Sequence, residues 1–134
     1  MPGKKEVKAD QIKVLLVDDE VGFVNILAKR LGKRNMEVTP AYTGTEAIQL
    51  VRKQDFDVAV LDLKMEEMDG IEVLKVFKKM DPNMVVIMLT GHGSQQAAKE
   101  GIEWGAFDYL TKPCELEELL AKIREAYQER NRGN

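Results

Sequence analysis

The chain contains few of the residues that mark several protein classes. Its 134 residues include one cysteine, one histidine, one tryptophan and four prolines. The single cysteine, Cys114, excludes an internal disulfide and suits a reducing compartment. No apolar run approaches the roughly 18 residues of a membrane span, and the basic N-terminus lacks the apolar core of a secretory signal. We therefore expect a cytoplasmic protein with no membrane partner.

The charge is nearly balanced, with 20 basic against 23 acidic residues and a net charge of -3. No basic stripe with interleaved aromatic residues occurs, which argues against nucleic-acid binding by this domain itself. The length and a hydrophobic content of 44% fit one domain with its own core. We expect a flexible tail over residues 1–10, the domain over residues 11–128 and a C-terminal tail over residues 129–134.

Short apolar runs alternate along the chain with segments of helical periodicity. The runs predict strands over residues 12–17, 36–41, 57–61, 84–89 and 106–110. Pro40 cannot donate a ladder hydrogen bond, so the second strand should lie at a sheet edge. Alternation with five helices predicts an α/β fold, a doubly wound five-stranded parallel sheet in the flavodoxin-like order 2-1-3-4-5.

Local signals place several helices. Thr43 and Glu46 fit a capping box, and Asp69 fits another helix start. The segment over residues 94–104 has few large apolar residues and contains Gly101. We expect a weak helix there, and such an element is a candidate for movement.

Acidic residues follow two of the predicted strands. Asp18 and Asp19 follow the first strand, and Asp62 follows the third. These strands are neighbours in the predicted order, so the three carboxylates should meet at the carboxyl edge of the sheet. They would repel one another unless a cation joins them. A divalent cation held by Asp19 and Asp62, with Asp18 acting through water, would offset this repulsion.

Thr90 and Lys112 end two further strands at the same edge. Together with the acids they suit phosphoryl transfer to a carboxylate. The cation would bind one phosphoryl oxygen, Lys112 would neutralise another, and Thr90 would donate a hydrogen bond to a third. Asp62 is the best candidate for the nucleophile because it lies between the other groups.

These residues also have simpler interpretations. Asp19 could cap the first helix, and Thr90 or Lys112 taken alone could be a loop hydroxyl or a solvated cation. An aspartate-nucleophile, Mg2+-dependent phosphohydrolase is the alternative function, although such enzymes carry the nucleophile on the first strand and a cap insertion. A nucleotide binder would need a phosphate loop after the first strand, where Asp18, Asp19 and Glu20 would repel phosphate.

Four segments, in order and each at a strand end, resemble the receiver domain of two-component response regulators over residues 12–127. They are Leu-Leu-Val-Asp-Asp at residues 15–19, Asp62 with Met-Asp-Gly at residues 68–70, Thr-Gly-His-Gly at residues 90–93, and Gly-Ala-Phe-Asp-Tyr-Leu-Thr-Lys-Pro at residues 105–113. The third segment is similar to receivers of the nitrogen-regulation type.

The resemblance implies a role for each residue of the acidic site. Asp62 is the expected phosphoacceptor. Mg2+ is the expected cofactor, with Asp19 as a direct ligand, Asp18 acting mostly through water, and Asp62 and the backbone carbonyl of Lys64 as further ligands.

The resemblance also implies a regulatory protein that catalyses only its own phosphorylation and slow dephosphorylation. A sensor histidine kinase would supply the phosphoryl group, and Lys112, joined to Pro113 by a cis bond, would contact it. Thr90 would move toward the phosphoryl group, and the Tyr109 ring would turn inward behind it. The face formed by the fourth helix, fifth strand and fifth helix would then act on an output domain, a partner protein or a second copy.

The chain departs from the receiver pattern at Glu66, where the family usually has proline. This substitution leaves the loop after Asp62 more acidic and less rigid, which puts its path in question. His92, the only histidine, is expected at the mouth of the pocket. The sequence leaves open whether the receiver stands alone or begins a longer regulator.

Overall fold

Five parallel strands form the sheet of the computed structural model, which describes residues 11–91 and 93–132. Their spatial order is β2-β1-β3-β4-β5. The predicted fold class and strand order are confirmed, and β2 with its Pro40 lies at the sheet edge. The strands are β1 Ile12–Val17, β2 Met36–Ala41, β3 Val58–Asp62, β4 Val85–Thr90 and β5 Asp108–Thr111.

Helices connect the strands and cover both faces of the sheet. Helices α2, α3 and α4 pack on one apolar layer, and α1 and α5 pack on the other. Strand β1 shows the alternation, because Leu15 and Val17 enter the first layer while Val14 and Leu16 enter the second. The helices are α1 Val21–Gly32, α2 Gly44–Lys53, α3 Gly70–Met80, α4 Gln95–Glu103 and α5 Leu116–Arg132.

Two element boundaries differ from the predicted ones by more than a residue. Strand β5 begins at Asp108, two residues later than expected. Helix α5 continues to Arg132, so residues 129–132, which we expected in the C-terminal tail, are helical. This end of α5 contacts the rest of the domain, because Arg130 lies 3.5 Å from Asp57. The expected tail over residues 1–10 lies outside the described residues.

The predicted helix starts are confirmed in their main features. The Thr43 side chain accepts the Glu46 N–H at 3.0 Å, as in a capping box. The Glu46 carboxylate, however, accepts the N–H of Tyr42 at 2.7 Å rather than that of Thr43. Asp69 caps α3 by accepting the Ile71 N–H at 3.0 Å.

Helix α4 is short and buries only small residues, Ala98 and Gly101. A Cβ atom at Gly101 would lie 2.2 Å from the Met88 sulfur, so any larger residue there would have to displace the Met88 side chain. Glycine lowers the intrinsic stability of the helix. At this position it also lets α4 pack closely on β4, the strand that ends in Thr90. Its expected mobility stays a prediction.

Candidate functional site

The three acids that end β1 and β3 meet at the carboxyl edge of the sheet. Strands β1 and β3 are direct neighbours, and Val17 pairs with Leu61. One carboxylate oxygen from each of Asp18, Asp19 and Asp62 lies within 4.8 Å of the other two. Asp18 is fully buried and Asp62 is 4% exposed. The predicted acidic cluster is thus formed, in surroundings where unbalanced charge is costly.

Asp62 lies at the centre of this cluster. Its Oδ1 atom accepts the Lys64 N–H at 3.1 Å, and its Oδ2 atom lies 3.6 Å from the Lys112 ammonium. Burial, above all, raises the pKa of Asp62 to about 6; the charges of Asp18 and Asp19 add to this, and the Lys64 N–H and Lys112 oppose it. The charged form of Asp62 is therefore disfavoured in the folded protein, and a further cation beside the carboxylate would stabilise it.

Lys112 extends from the end of β5 across the acidic cluster. Its Nζ atom lies 2.8 Å from Asp18 Oδ2 and 3.0 Å from Glu20 Oε1, and 4.9 Å from the centre of the Phe23 ring. Burial lowers the pKa of Lys112, but the hydrogen bonds to Asp18 and Glu20 and the charge of Asp62 outweigh it, so the pKa lies above its ordinary value. The expected cis bond between Lys112 and Pro113 is confirmed.

The remaining acid, Asp19, contacts the loop between β3 and α3. Its Oδ2 atom accepts the Glu66 N–H at 3.1 Å. Helix α1 begins after Glu20, which occupies the cap position. Among the described residues, no side-chain cap hydrogen bond is formed there. The interpretation of Asp19 as a cap of the first helix is therefore wrong, and its carboxylate lies among the other acids instead.

Thr90 and Tyr109 lie on neighbouring strands beside the cluster. Thr90 ends β4 and is 1% exposed, and its hydroxyl lies 3.5 Å from the Leu110 carbonyl oxygen, a long distance for a hydrogen bond. Tyr109 pairs with Met88 across β4 and β5 and is partly buried against the apolar layer. The Thr90 hydroxyl is thus only weakly hydrogen-bonded, and the Tyr109 ring on the neighbouring strand is half-buried.

An open cleft of about 350 Å³ lies over the acids. Sequence reasoning identified several of its residues but missed Glu20, which holds Lys112, and the backbone N–H of Glu66, which holds Asp19. Glu20 directly follows the acidic pair, and this adjacency was the available signal. His92 lies outside the described residues. The cleft is lined by Asp19, Glu20, Asp62, Lys64, Glu66, Gly91 and Lys112.

The donor set fits a hard divalent cation. All three clustered side chains offer carboxylate oxygens, the ligands that Mg2+ and Ca2+ prefer. The cluster also reaches the cleft, which leaves room for water or an incoming oxygen. Asp18, Asp19 and Asp62 could therefore hold Mg2+, whose charge would offset their mutual repulsion.

Comparison with known proteins gives a consistent set of relatives. The family model for the response regulator receiver domain matches residues 14–124. The transcriptional regulatory protein ZraR of Escherichia coli K12 is 38% identical over 117 residues, which cover 87% of this chain and 26% of ZraR. TrcR of Mycobacterium tuberculosis is 36% identical over 124 residues, covering 92% of this chain and 48% of TrcR. The chain thus spans about a quarter to a half of these curated relatives.

Solved structures agree with this result. A CheY-like response regulator receiver domain protein from Methanospirillum hungatei has a TM-score of 0.89 and 30% identity, over 93% of this chain and 100% of that one. The receiver domain of NtrX from Brucella abortus has a TM-score of 0.81 and 28% identity, over 86% of this chain and 98% of that one.

Proposed function

The chain belongs to the response regulator receiver family, and on that premise we propose that it takes a phosphoryl group from a sensor histidine kinase onto Asp62. The observation that supports this proposal best is the position of Asp62, buried at the end of a central strand between two acids and Lys112. A carboxylate oxygen of Asp62 would attack phosphorus, the phosphorus–nitrogen bond of the donor would break, and the imidazole would leave with the electron pair.

Asp18, Asp19, Asp62 and the backbone carbonyl of Lys64 would hold Mg2+ beside the reacting group. When bound, this ion would neutralise charge on the phosphoryl oxygens and on the attacking carboxylate. Lys112 would turn from Asp18 or Glu20, at 2.8 and 3.0 Å, to donate to a phosphoryl oxygen near Asp62. The move is short, because its Nζ atom already lies 3.6 Å from Asp62.

Thr90 and Tyr109 would convert phosphorylation into a change of surface. The weakly bonded Thr90 hydroxyl would turn to donate to the phosphoryl group, and the half-buried Tyr109 ring would fill the space behind it. The altered face would be that of α4, β5 and α5. On this face Asp108 of β5 and Lys122 of α5 form an ion pair of 2.7 Å, which ties the two elements together.

The kinase would dock on the side of the cleft formed by α1. Val21, Phe23 and Ile26 are apolar and 50%, 38% and 59% exposed. Phe23 is continuous with the site, because its ring lies 4.9 Å from the Lys112 ammonium. A domain that brings phosphohistidine to Asp62 would contact this rim, where exposed apolar side chains provide contact area.

The receiver would pass its signal to an output. ZraR and NtrX, which the chain resembles, are much longer than this receiver in their full forms. We assign the receiver to residues 11–132, since α5 continues to Arg132, and place its signalling face on α4, β5 and α5, where it would control an attached output domain, a partner protein or dimerisation. Among the described residues, no helix is long and apolar enough to cross a bilayer.

The proposal is tested by intact-mass spectrometry. Protein incubated with Mg2+ and acetyl phosphate should gain one phosphoryl group, and EDTA should prevent the gain. Asp55→Asn, at an exposed position near the start of β3, should behave as wild type. A chain that instead turns over phosphate esters many times without carrying a phosphoryl group would support the phosphohydrolase and refute the receiver function.

A further inference from the structure

The loop between β3 and α3, residues 63–69, forms one wall of the cleft. Two of its backbone N–H groups bind proposed metal ligands: the Lys64 N–H donates to Asp62 at 3.1 Å, and the Glu66 N–H donates to Asp19 at 3.1 Å. The path of this loop therefore decides where the Lys64 carbonyl lies and how Asp19 is oriented.

Glu67 in the same loop turns to a different element, the start of α2. Its Oε1 atom accepts the Gly44 N–H at 2.9 Å, and its Oε2 atom accepts a hydrogen bond from the Thr45 hydroxyl. The first N–H groups of a helix have no partner within the helix, and the helix dipole favours an anion there. The side chain of Thr43, the cap residue of α2, already accepts the Glu46 N–H. The loop thus supplies the second cap of α2.

The contact between the loop and α2 is close along its length. A Cβ atom at Gly44 would lie 2.8 Å from a methyl group of Val73 and 3.2 Å from Cβ of Met68. Glycine at this position therefore lets the first turn of α2 approach the end of the loop and the start of α3. Glu67 lies where two closely packed elements meet, and its carboxylate is their polar link.

We infer that Glu67 is a positioning residue for the metal site. Its carboxylate clamps the β3–α3 loop to α2 and so holds the Lys64 carbonyl and the Glu66 N–H at the cleft. The inference rests on the proposed function only in taking these groups as part of a Mg2+ site. Glu66 stands where proline would stiffen the loop, and the Glu67 clamp supplies the restraint from outside the loop. The pKa of Glu67 lies below its ordinary value because of the Thr45 hydroxyl and the backbone N–H groups of α2, so the carboxylate is charged at neutral pH.

The test measures Mg2+ binding by calorimetry on unphosphorylated protein that has not been exposed to a phosphodonor. Glu67→Ala and Thr45→Val should each weaken Mg2+ binding, by about 10-fold for Glu67→Ala, the lower end of the range for loss of a group that orients metal ligands. The double variant should be no weaker than Glu67→Ala, because both changes break one link. Glu67→Gln keeps an acceptor for the Gly44 N–H and should restore most of the affinity.

Glu46→Ala is the control for helix destabilisation. Glu46 also accepts a backbone N–H beside the start of α2, from Tyr42, and among the described residues its side chain makes no hydrogen bond to the loop. Its loss should lower the thermal midpoint as Glu67→Ala does and leave the Mg2+ dissociation constant unchanged. Wild-type Mg2+ affinity in Glu67→Ala, or an equal loss in Glu46→Ala, would overturn the inference. A chain that binds Mg2+ with this pattern but gains no phosphoryl group would refute the proposed function and leave the clamp supported.

Discussion

The Nζ atom of Lys112 lies 3.6 Å from the Oδ2 atom of Asp62. Two other acids hold the ammonium group more closely, Asp18 at 2.8 Å and Glu20 at 3.0 Å. Lys112 therefore lies next to the proposed nucleophile, but its shortest contacts are with the other two acids. A phosphoryl group on Asp62 would offer new oxygens within reach of this cation, and the proposed chemistry depends on that proximity.

Replacing Lys112 with methionine should slow phosphorylation of Asp62. The variant loses the cation that would neutralise a phosphoryl oxygen, and the loss of one such group costs about 100-fold in rate. The rate is measured from the mass gain with acetyl phosphate at saturating Mg2+. Lys122→Met, which removes a cation from the distant β5–α5 ion pair, serves as the control. A Lys112→Met rate within twofold of wild type would contradict the assigned role.

Asp62→Asn should stabilise the metal-free protein at neutral pH. The pKa of Asp62 rises from 3.8 to about 6 on folding. Between these values the folded protein binds more protons than the unfolded chain, so stability falls as pH rises and the cost is complete above pH 6. The asparagine variant avoids a cost of roughly 2 to 3 kcal/mol. Urea unfolding in EDTA from pH 4 to 7.5 should show a difference between the proteins that grows with pH and then levels; a constant difference would contradict the account.

Mg2+ should stabilise the wild-type protein through the acidic cluster. Binding adds about 1.4 kcal/mol to the free energy of unfolding at roughly ten times the dissociation constant. Thermal unfolding is compared in MgCl2 and in NaCl of equal ionic strength. Asp19→Asn should lose this gain, while the exposed Asp55→Asn keeps it. Equal stabilisation of all three proteins would point to general screening and away from a site.

The docking surface on α1 predicts a variant that separates two phosphodonors. Ile26→Ala shortens an apolar side chain that is 59% exposed, so phosphotransfer from a sensor kinase core able to phosphorylate the wild type should slow several-fold. Phosphorylation by acetyl phosphate should not change, because Ile26 lies outside the cleft. Ile102→Ala on α4, 41% exposed, is the control for loss of surface area. Slowing with both donors would remove the case for docking.

Trp104, the only tryptophan, should report the switch. It follows α4, is 49% exposed, and lies 4.3 Å from the Lys75 ammonium measured to its ring centre. Phosphorylation should change its fluorescence if α4 shifts. Thr90→Val removes the hydroxyl that would donate to the phosphoryl group, so its fluorescence change per phosphorylated molecule should be smaller. An identical change in both proteins would exclude Thr90 from the coupling.

The sheet and the acidic cluster were predictable because they depend on short-range patterns. Apolar runs define the strands, Pro40 places β2 at an edge, and parallel strands bring their carboxyl ends together. Asp18 and Asp62 then meet whatever the loops do, since they directly follow or end paired strands.

Contacts made by loops were not predictable in the same way. The Glu67 link to Gly44 joins a loop to the start of α2 through a path that packing sets, and no periodicity in the sequence signals it. Likewise, the sequence placed Asp19 among the metal ligands, with a helix cap as the simpler alternative, but only the path of the β3–α3 loop shows that it binds the Glu66 N–H. The end of α5 was placed too early because polar residues there resemble a tail, although Arg130 contacts Asp57.

Mapping the modified residue shows whether Asp62 carries the phosphoryl group. Protein treated with Mg2+ and acetyl phosphate is trapped with borohydride, which reduces an acyl phosphate, and its peptides are analysed by tandem mass spectrometry. We expect the reduced residue at position 62 and its absence when EDTA is present. Modification at Asp18, Asp19 or another residue, with Asp62 intact, would contradict this assignment.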